Sequence, residues 1–284
     1  MTVFEQIAFA FQALFRSLFA LRRPATWLPW LPLAAAGALL VALAWNFAHP
    51  LLSPLMVPWI TRVAGEDALH YPGLFAALPL WFAKSNLVPQ MLLGPLAIGA
   101  GVVVFAQLFR GLPVRPASAL AAALARWPML VLAQLPFHAL IAALTLGLAP
   151  WLGEHKHGLV IRLFARVAIL GGATLAETLL FFVAVLIMVT GRGLFEAFAE
   201  IPGALMRGFV AAVVLGCIPV VTRLGLQALE TRSATIVTRG VPELVGALTL
   251  ADIALSLLAW YVLAGAATMV YLGAMQHASE VEDA

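Results

Sequence analysis

Three ionisable side chains stand inside stretches otherwise made of leucine, alanine, valine and phenylalanine: Glu177 in TLAETLLFFV, His138 in LAQLPFHALI and Asp252 in LTLADIALSL. A charge at the centre of an apolar layer costs at least about 2.5 kcal/mol, so a titratable group kept there is a functional candidate by default. Glu177 sits near the middle of its stretch and would serve as a protonatable carboxyl on a solute or proton path, or as a hydrogen-bonded group that fixes helix contacts. Asp252 lies nearer the end of its stretch, within reach of water and of pairing with Arg223 or Arg239. His138 would ligate a haem or chlorin, relay protons, or pack as a hydrogen-bonded ring. A bis-histidine haem needs a second deep histidine, and His49, His70, His155, His157 and His277 all fall at segment ends or in loops. No cofactor is expected.

Two further groups invite chemistry. Arg162 and Arg166, four apart on one helical face, suit a phosphate or lipid headgroup and equally suit interfacial anchoring. Glu154-His155-Lys156-His157 resembles a metal tract only superficially, because two histidines two apart on a turn supply neither four ligands nor a fixed geometry. No metal site is expected. A phosphate loop, a GxSxG elbow and HExxH are all absent, and no histidine is followed by aspartate at acyltransferase spacing. The expectation is a non-enzyme.

The elements that must position these residues follow from composition. Of 284 residues 63% are hydrophobic and 10% charged, with mean hydropathy +1.02, against about 25% charged in soluble domains. The chain therefore reads as an all-α polytopic membrane protein. Six apolar spans of roughly 20 residues each are expected near 27–47, 91–109, 127–151, 167–190, 209–229 and 244–271, arranged as three hairpins in a single membrane domain. The net charge of +3 comes from singly scattered Lys and Arg, which is topology signal rather than a nucleic-acid surface. Cys217 is the only cysteine, which rules out an intrachain disulfide and thiolate metal clusters.

One pattern recurs: a helix-forming run, an arginine, then a proline-bearing apolar span. Ala117–Pro136 shows it most fully, with Arg126 before Trp127-Pro128; Arg22-Arg23-Pro24 and Arg207-Gly208 begin the other copies, and Pro32, Pro136 and Pro219 follow about ten residues on. Residues 2–23 and 194–207 are expected to be amphipathic helices on the membrane surface. In the first, Glu5, Gln12, Arg16 and Arg23 oppose Phe4, Ile7, Phe11, Leu14, Phe15 and Leu18. In the second, Glu196, Glu200, Gly203 and Arg207 share one face. Residues 48–90, with six prolines, hold apolar pieces too short to cross; they are expected to be re-entrant or interfacial and to line any cavity. Gly171-Gly172 would let another helix approach.

The sixteen basic residues divide evenly between the two sides of this plan, but up to residue 126 six fall on the side of the N-terminus against two, Arg62 and Lys84, opposite. Early segments dominate topology, so both termini are expected in the cytoplasm of a bacterial inner membrane. The N-terminal run, with Glu5 near its start and its first long apolar segment only after Arg23, is not expected to be a cleavable signal.

The surface helix with RRP, the proline-rich first span, GPLAIGAGVVVFAQLFRGLPV and Arg126-Trp127-Pro128 together resemble a broad group of bacterial six-helix membrane families. These include the membrane domain attached to some glycerophosphoryl diester phosphodiesterases. The resemblance implies a helical membrane domain and carries no activity or site residue with it. The expected role is a membrane subunit or accessory factor whose partners are the lipid bilayer and other membrane subunits. The alternatives are a transporter or channel using Glu177, Asp252 and His138, and a cofactor-binding subunit of an electron-transfer or light-harvesting complex.

Overall fold

The architecture comes from a computed structural model that describes residues 2–153, 158–230 and 232–282; within these, the side chains of 141, 142, 144–153, 159–168, 170, 173, 204–209, 219–230 and 275–282 lie outside the description. All regular structure among the described residues is helical. Four helices are long and apolar enough to cross a membrane, and up to six if two sharply bent helix pairs each count as one span.

Local chemistry sets the helix ends. α1 (Val3–Ala20) begins at Thr2, whose hydroxyl accepts from the Glu5 N–H at 3.3 Å while Glu5 accepts from the Thr2 N–H at 2.6 Å, a reciprocal cap. Pro24 opens the short α2 (Pro24–Trp27), which continues through a 3₁₀ turn, Leu28–Trp30, into α3 (Leu31–Trp45). Proline suits this first-turn position because its missing N–H would have had no helical partner. Pro24–Trp45 taken together is one candidate span. α4 (Ser53–Ala64) and α5 (Gly73–Ser85) have 12 and 13 residues, well short of a crossing. α6 (Leu87–Phe109) is the next full-length apolar helix.

α7 (Pro116–Ala125) meets α8 (Trp127–Gly153) at Arg126, and the axes turn by 71° there. α9 (Leu159–Val185) packs along α8 and ends in a π-helical turn, Leu186–Thr190. The chain then turns through Gly191, whose φ of +79° favours glycine. α10 (Leu194–Glu230) leaves at 117° to the preceding segment. A short α11 (Ser233–Thr238) precedes α12 (Glu243–Glu282).

The expected boundary between a surface helix over 194–207 and a span over 209–229 is not present, because α10 is helical without interruption across Arg207-Gly208. The reason lies in the third copy of the repeat. Pro24 and Pro128 follow the first two arginines, and the helix breaks at both; Gly208 follows the third, and a glycine is tolerated inside a helix at a cost of about 1 kcal/mol. Likewise Glu230–Pro242, a polar stretch in sequence, contains α11.

The contacts divide the chain into two compact units. The first comprises Met1–Pro29, Pro95–Val220 and Trp260–Ala284. In it α1 turns a third face, Ala10, Ala13, Ser17 and Ala20, into the protein and leaves its large residues outside, with Phe4 84% and Phe15 59% exposed. Phenylalanines facing lipid need no burial in protein, whereas small side chains let backbones approach. That approach is visible at Gly265 of α12, where a Cβ would lie 2.5 Å from Ser17 Oγ and 2.8 Å from the Phe105 ring of α6. Gly273 packs in the same way on Phe9. α1 is also long and apolar enough to cross on its own.

The second unit comprises Trp30–Gly94 and Val221–Ala259. Residues 48–90 build its core, where Trp81, Met56, Ile60 and Leu78 are buried at 2% exposure or less, with Ala44 of α3, Val237 of α11 and Val245 of α12 around them. Side chains pack the middle of this segment. Ser233 of α11 donates to the Ala76 carbonyl of α5 at 2.9 Å, Gly246 of α12 admits the Trp45 ring, and Tyr71 donates to Glu243 Oε1 at 3.2 Å.

Candidate functional site

Glu177 lies on α9 and is buried, 9% exposed. It lies beside a close contact of α9 with α10: a Cβ on Gly216 would collide with Thr178 Oγ1 and come within 2.7 Å of Thr174 Cγ2. Thr178 in turn donates to the Thr174 carbonyl at 2.8 Å. Gly216 is thus a glycine that permits helix approach here. Gly171 is exposed, and a Cβ there would meet nothing within 4 Å.

His138 lies on α8, half-buried, with Nδ1 3.0 Å from the Gln134 carbonyl oxygen. A carbonyl only accepts, so Nδ1 donates, and Nε2 is the nitrogen left for any outside partner. Gln134 itself is buried. Counted back from the facing ends of the α8–α9 pair, His138 and Glu177 differ in depth by about one helical turn. The first unit thus holds a carboxyl and an imidazole at similar depth on neighbouring helices. Asp252 is half-buried on α12 in the second unit, so the three candidates are not gathered within one unit. The side chains of Arg162, Arg166, Arg207 and Arg223, and the whole of 154–157, lie outside the described residues.

Two polar devices carry no sequence motif. Thr26 is fully buried; its Oγ1 lies 2.8–2.9 Å from the carbonyl oxygens of Ala20 and Arg23 and 2.7 Å from the Tyr261 hydroxyl of α12. This ties the α1–α2 corner to α12. Arg126, marked in sequence only as the residue before a span, donates from Nη1 to the Ile187 carbonyl inside the π-helical turn. Its guanidinium also lies against Gly191. At the exposed N-terminal corner, Arg22 stacks over the Phe19 ring at 4.9 Å, which suits an interfacial arginine.

Three other buried hydroxyls are satisfied by their own helices: Ser17 donates to Ala13, Thr249 to Val245 and Thr268 to Ala264, each four residues back. Among the described residues no three His, Cys, Asp or Glu side chains group closely enough to hold a metal ion. No family model, curated protein or solved structure matches the chain.

Proposed function

We propose that this chain is a non-enzymatic, six-span protein of a bacterial inner membrane, working as a membrane subunit or accessory factor of a larger assembly. The observation that carries this reading is that four buried hydroxyls and the His138 ring are paired within their own helices. Ser17, Thr178, Thr249, Thr268 and His138 all bond to carbonyls of their own helices, which leaves them stitched into the scaffold rather than open to a passing solute. Large apolar side chains face outward along α1 and α3, as in Phe4, Phe11, Phe15, Leu31 and Leu39, and they suit lipid or the spans of partner subunits. In this reading Pro24–Trp45, α6, α12 and the two bent pairs each enter the bilayer once, residues 209–229 within α10 supply the sixth span, α1 lies along the surface, and both termini are cytoplasmic.

Gentle detergent extraction followed by native mass spectrometry tests the assignment. A defined assembly heavier than the 30.2 kDa chain and containing other membrane proteins is expected. Proton or solute flux by the purified chain alone in vesicles would overturn it.

A second reading, transport through the first unit, is favoured by one observation: Glu177 is buried on a helix that ends in a π-turn, a feature frequent at functional sites. Flux that is lost in Glu177→Gln, with assembly intact, would establish that reading instead.

A further inference from the structure

The last turn of α5 carries three buried polar atoms that the fold does not satisfy. Trp81 is 0% exposed, Ser85 5% and Asn86 8%. Trp81 Nε1, Ser85 Oγ and Asn86 Oδ1 have no hydrogen-bond partner among the described residues. Native interiors pair nearly all such atoms, because one left bare has given up its bonds to water without replacement. Three within six residues of one short helix constitute a local feature with a cause.

The contrast with the rest of the molecule sharpens the point. Ser17, Thr178, Thr249 and Thr268 donate to the carbonyl four residues back. Ser85 has the Trp81 carbonyl in that position and does not use it. Asn46 ends α3 as Asn86 ends α5, and its Nδ2 donates to the Ala42 carbonyl at 2.8 Å. The Asn86 backbone is held on both sides, its N–H donating to Phe82 and its carbonyl accepting from Gln90 at 2.9 Å, yet its side-chain oxygen is turned inward and unused. Trp81 and Ser85 are four apart and share a helical face, and Asn86 adjoins Ser85.

The chemistry presented is one N–H donor, one hydroxyl that gives and accepts, and one amide acceptor. A charged ligand is disfavoured, because the surroundings are Met56, Ile60, Leu78 and Phe82, with the Trp59 ring 5.3 Å from Trp81. The nearby Lys84 is directed to the Val63 carbonyl. We infer that Trp81, Ser85 and Asn86 form a binding site for a neutral hydroxyl group, which accepts from the indole N–H, donates to the Asn86 amide oxygen and exchanges a bond with Ser85. Ordered water and the free hydroxyl of a neutral lipid share that chemistry. This site belongs to the second unit and is independent of the proposed role of the chain.

The test uses the full chain in phosphatidylcholine nanodiscs, with the assigned Trp81 indole N–H as reporter. Cross-relaxation between that proton and water identifies water as the occupant. A shift of the resonance on adding dioleoylglycerol, without water cross-relaxation, identifies a lipid hydroxyl. Either signal is expected to disappear in Ser85→Ala, with a melting temperature about 2–4 °C lower. The inference is overturned if the wild-type indole shows neither signal, or if Ser85→Ala keeps the signal or melts at or above the wild-type temperature.

Discussion

Arg126 donates its guanidinium to the carbonyl of Ile187, 61 residues further along the chain. The π-helical turn Leu186–Thr190 leaves end carbonyls short of helical donors, and a cation at a helix C-terminus also opposes the negative end of the dipole. The α7–α8 bend delivers that cation. One residue thus marks where a span begins and fastens the end of another helix.

Removing the guanidinium should therefore loosen the fold. Arg126→Gln is expected to lose about 1.5–3 kcal/mol, the worth of a charged hydrogen bond, or roughly 3–10 °C in thermal melts in detergent. Arg126→Lys should recover part of the loss, since an ammonium keeps the charge and gives up the planar fork. A melt unchanged in Arg126→Gln would remove the lock.

Gly216 and Gly171 should respond oppositely to the same methyl group. Gly216→Ala drives a Cβ into Thr178 and Thr174, and overpacking of this kind costs about 1–3 kcal/mol. Gly171→Ala meets open space and should be neutral or stabilising by up to about 1 kcal/mol, since glycine is the poorer helix former. Paired melts of the two variants check this; equal responses would contradict the α9–α10 approach.

The Thr26–Tyr261 bond predicts coupling across the first unit. Thr26→Val and Tyr261→Phe should each destabilise by about 1–2 kcal/mol, with the double variant costing clearly less than their sum. Additive losses in the double-mutant cycle would mean that the two hydroxyls are held independently.

Tyr71 gives a pH signature at the surface of the second unit. Desolvation, then the hydrogen bond to Glu243 and the charge of that carboxylate, hold the phenol above its ordinary value, which is about 10. Because the folded value is raised, the contact contributes fully below the unfolded value and is lost as pH rises through the folded one. Ultraviolet titration of the wild type and of Glu243→Gln should differ by a tyrosine component whose midpoint falls in the variant.

Proline largely decides which of these features could be read from the chain. Pro24 and Pro128 lie beside two of the helix breaks expected from the repeat, and the third position, without one, has no break. The long apolar helices Pro24–Trp45, Leu87–Phe109 and Glu243–Ala274 were legible because an apolar run of that length and composition stands out in the sequence. Helix faces were not. In α1 the large residues dominate the periodicity while the packing face is Ala10, Ala13, Ser17 and Ala20, because association in lipid selects small side chains and not hydrophobic ones. Gly171 stood out in sequence and Gly216 did not, since only the neighbouring helix distinguishes them. The α5–α11 contact through Ser233 and Ala76 spans 157 residues and leaves no local trace. Glu177 and His138 were visible as polar groups in apolar runs, but their similar depth depends on how α8 and α9 pair.

The proposed topology rests on three arginine-led spans that start from one face of the bilayer. Compartment-specific reporters inserted beside Arg23, Arg126 and Arg207, together with one at the N-terminus, measure this directly. All four should report the cytoplasm, the N-terminal reporter included because α1 lies along the surface in this account. A reporter at any of the three arginines opposite the other two would break the three-hairpin plan, and an N-terminal reporter opposite Arg23 would make α1 a membrane span.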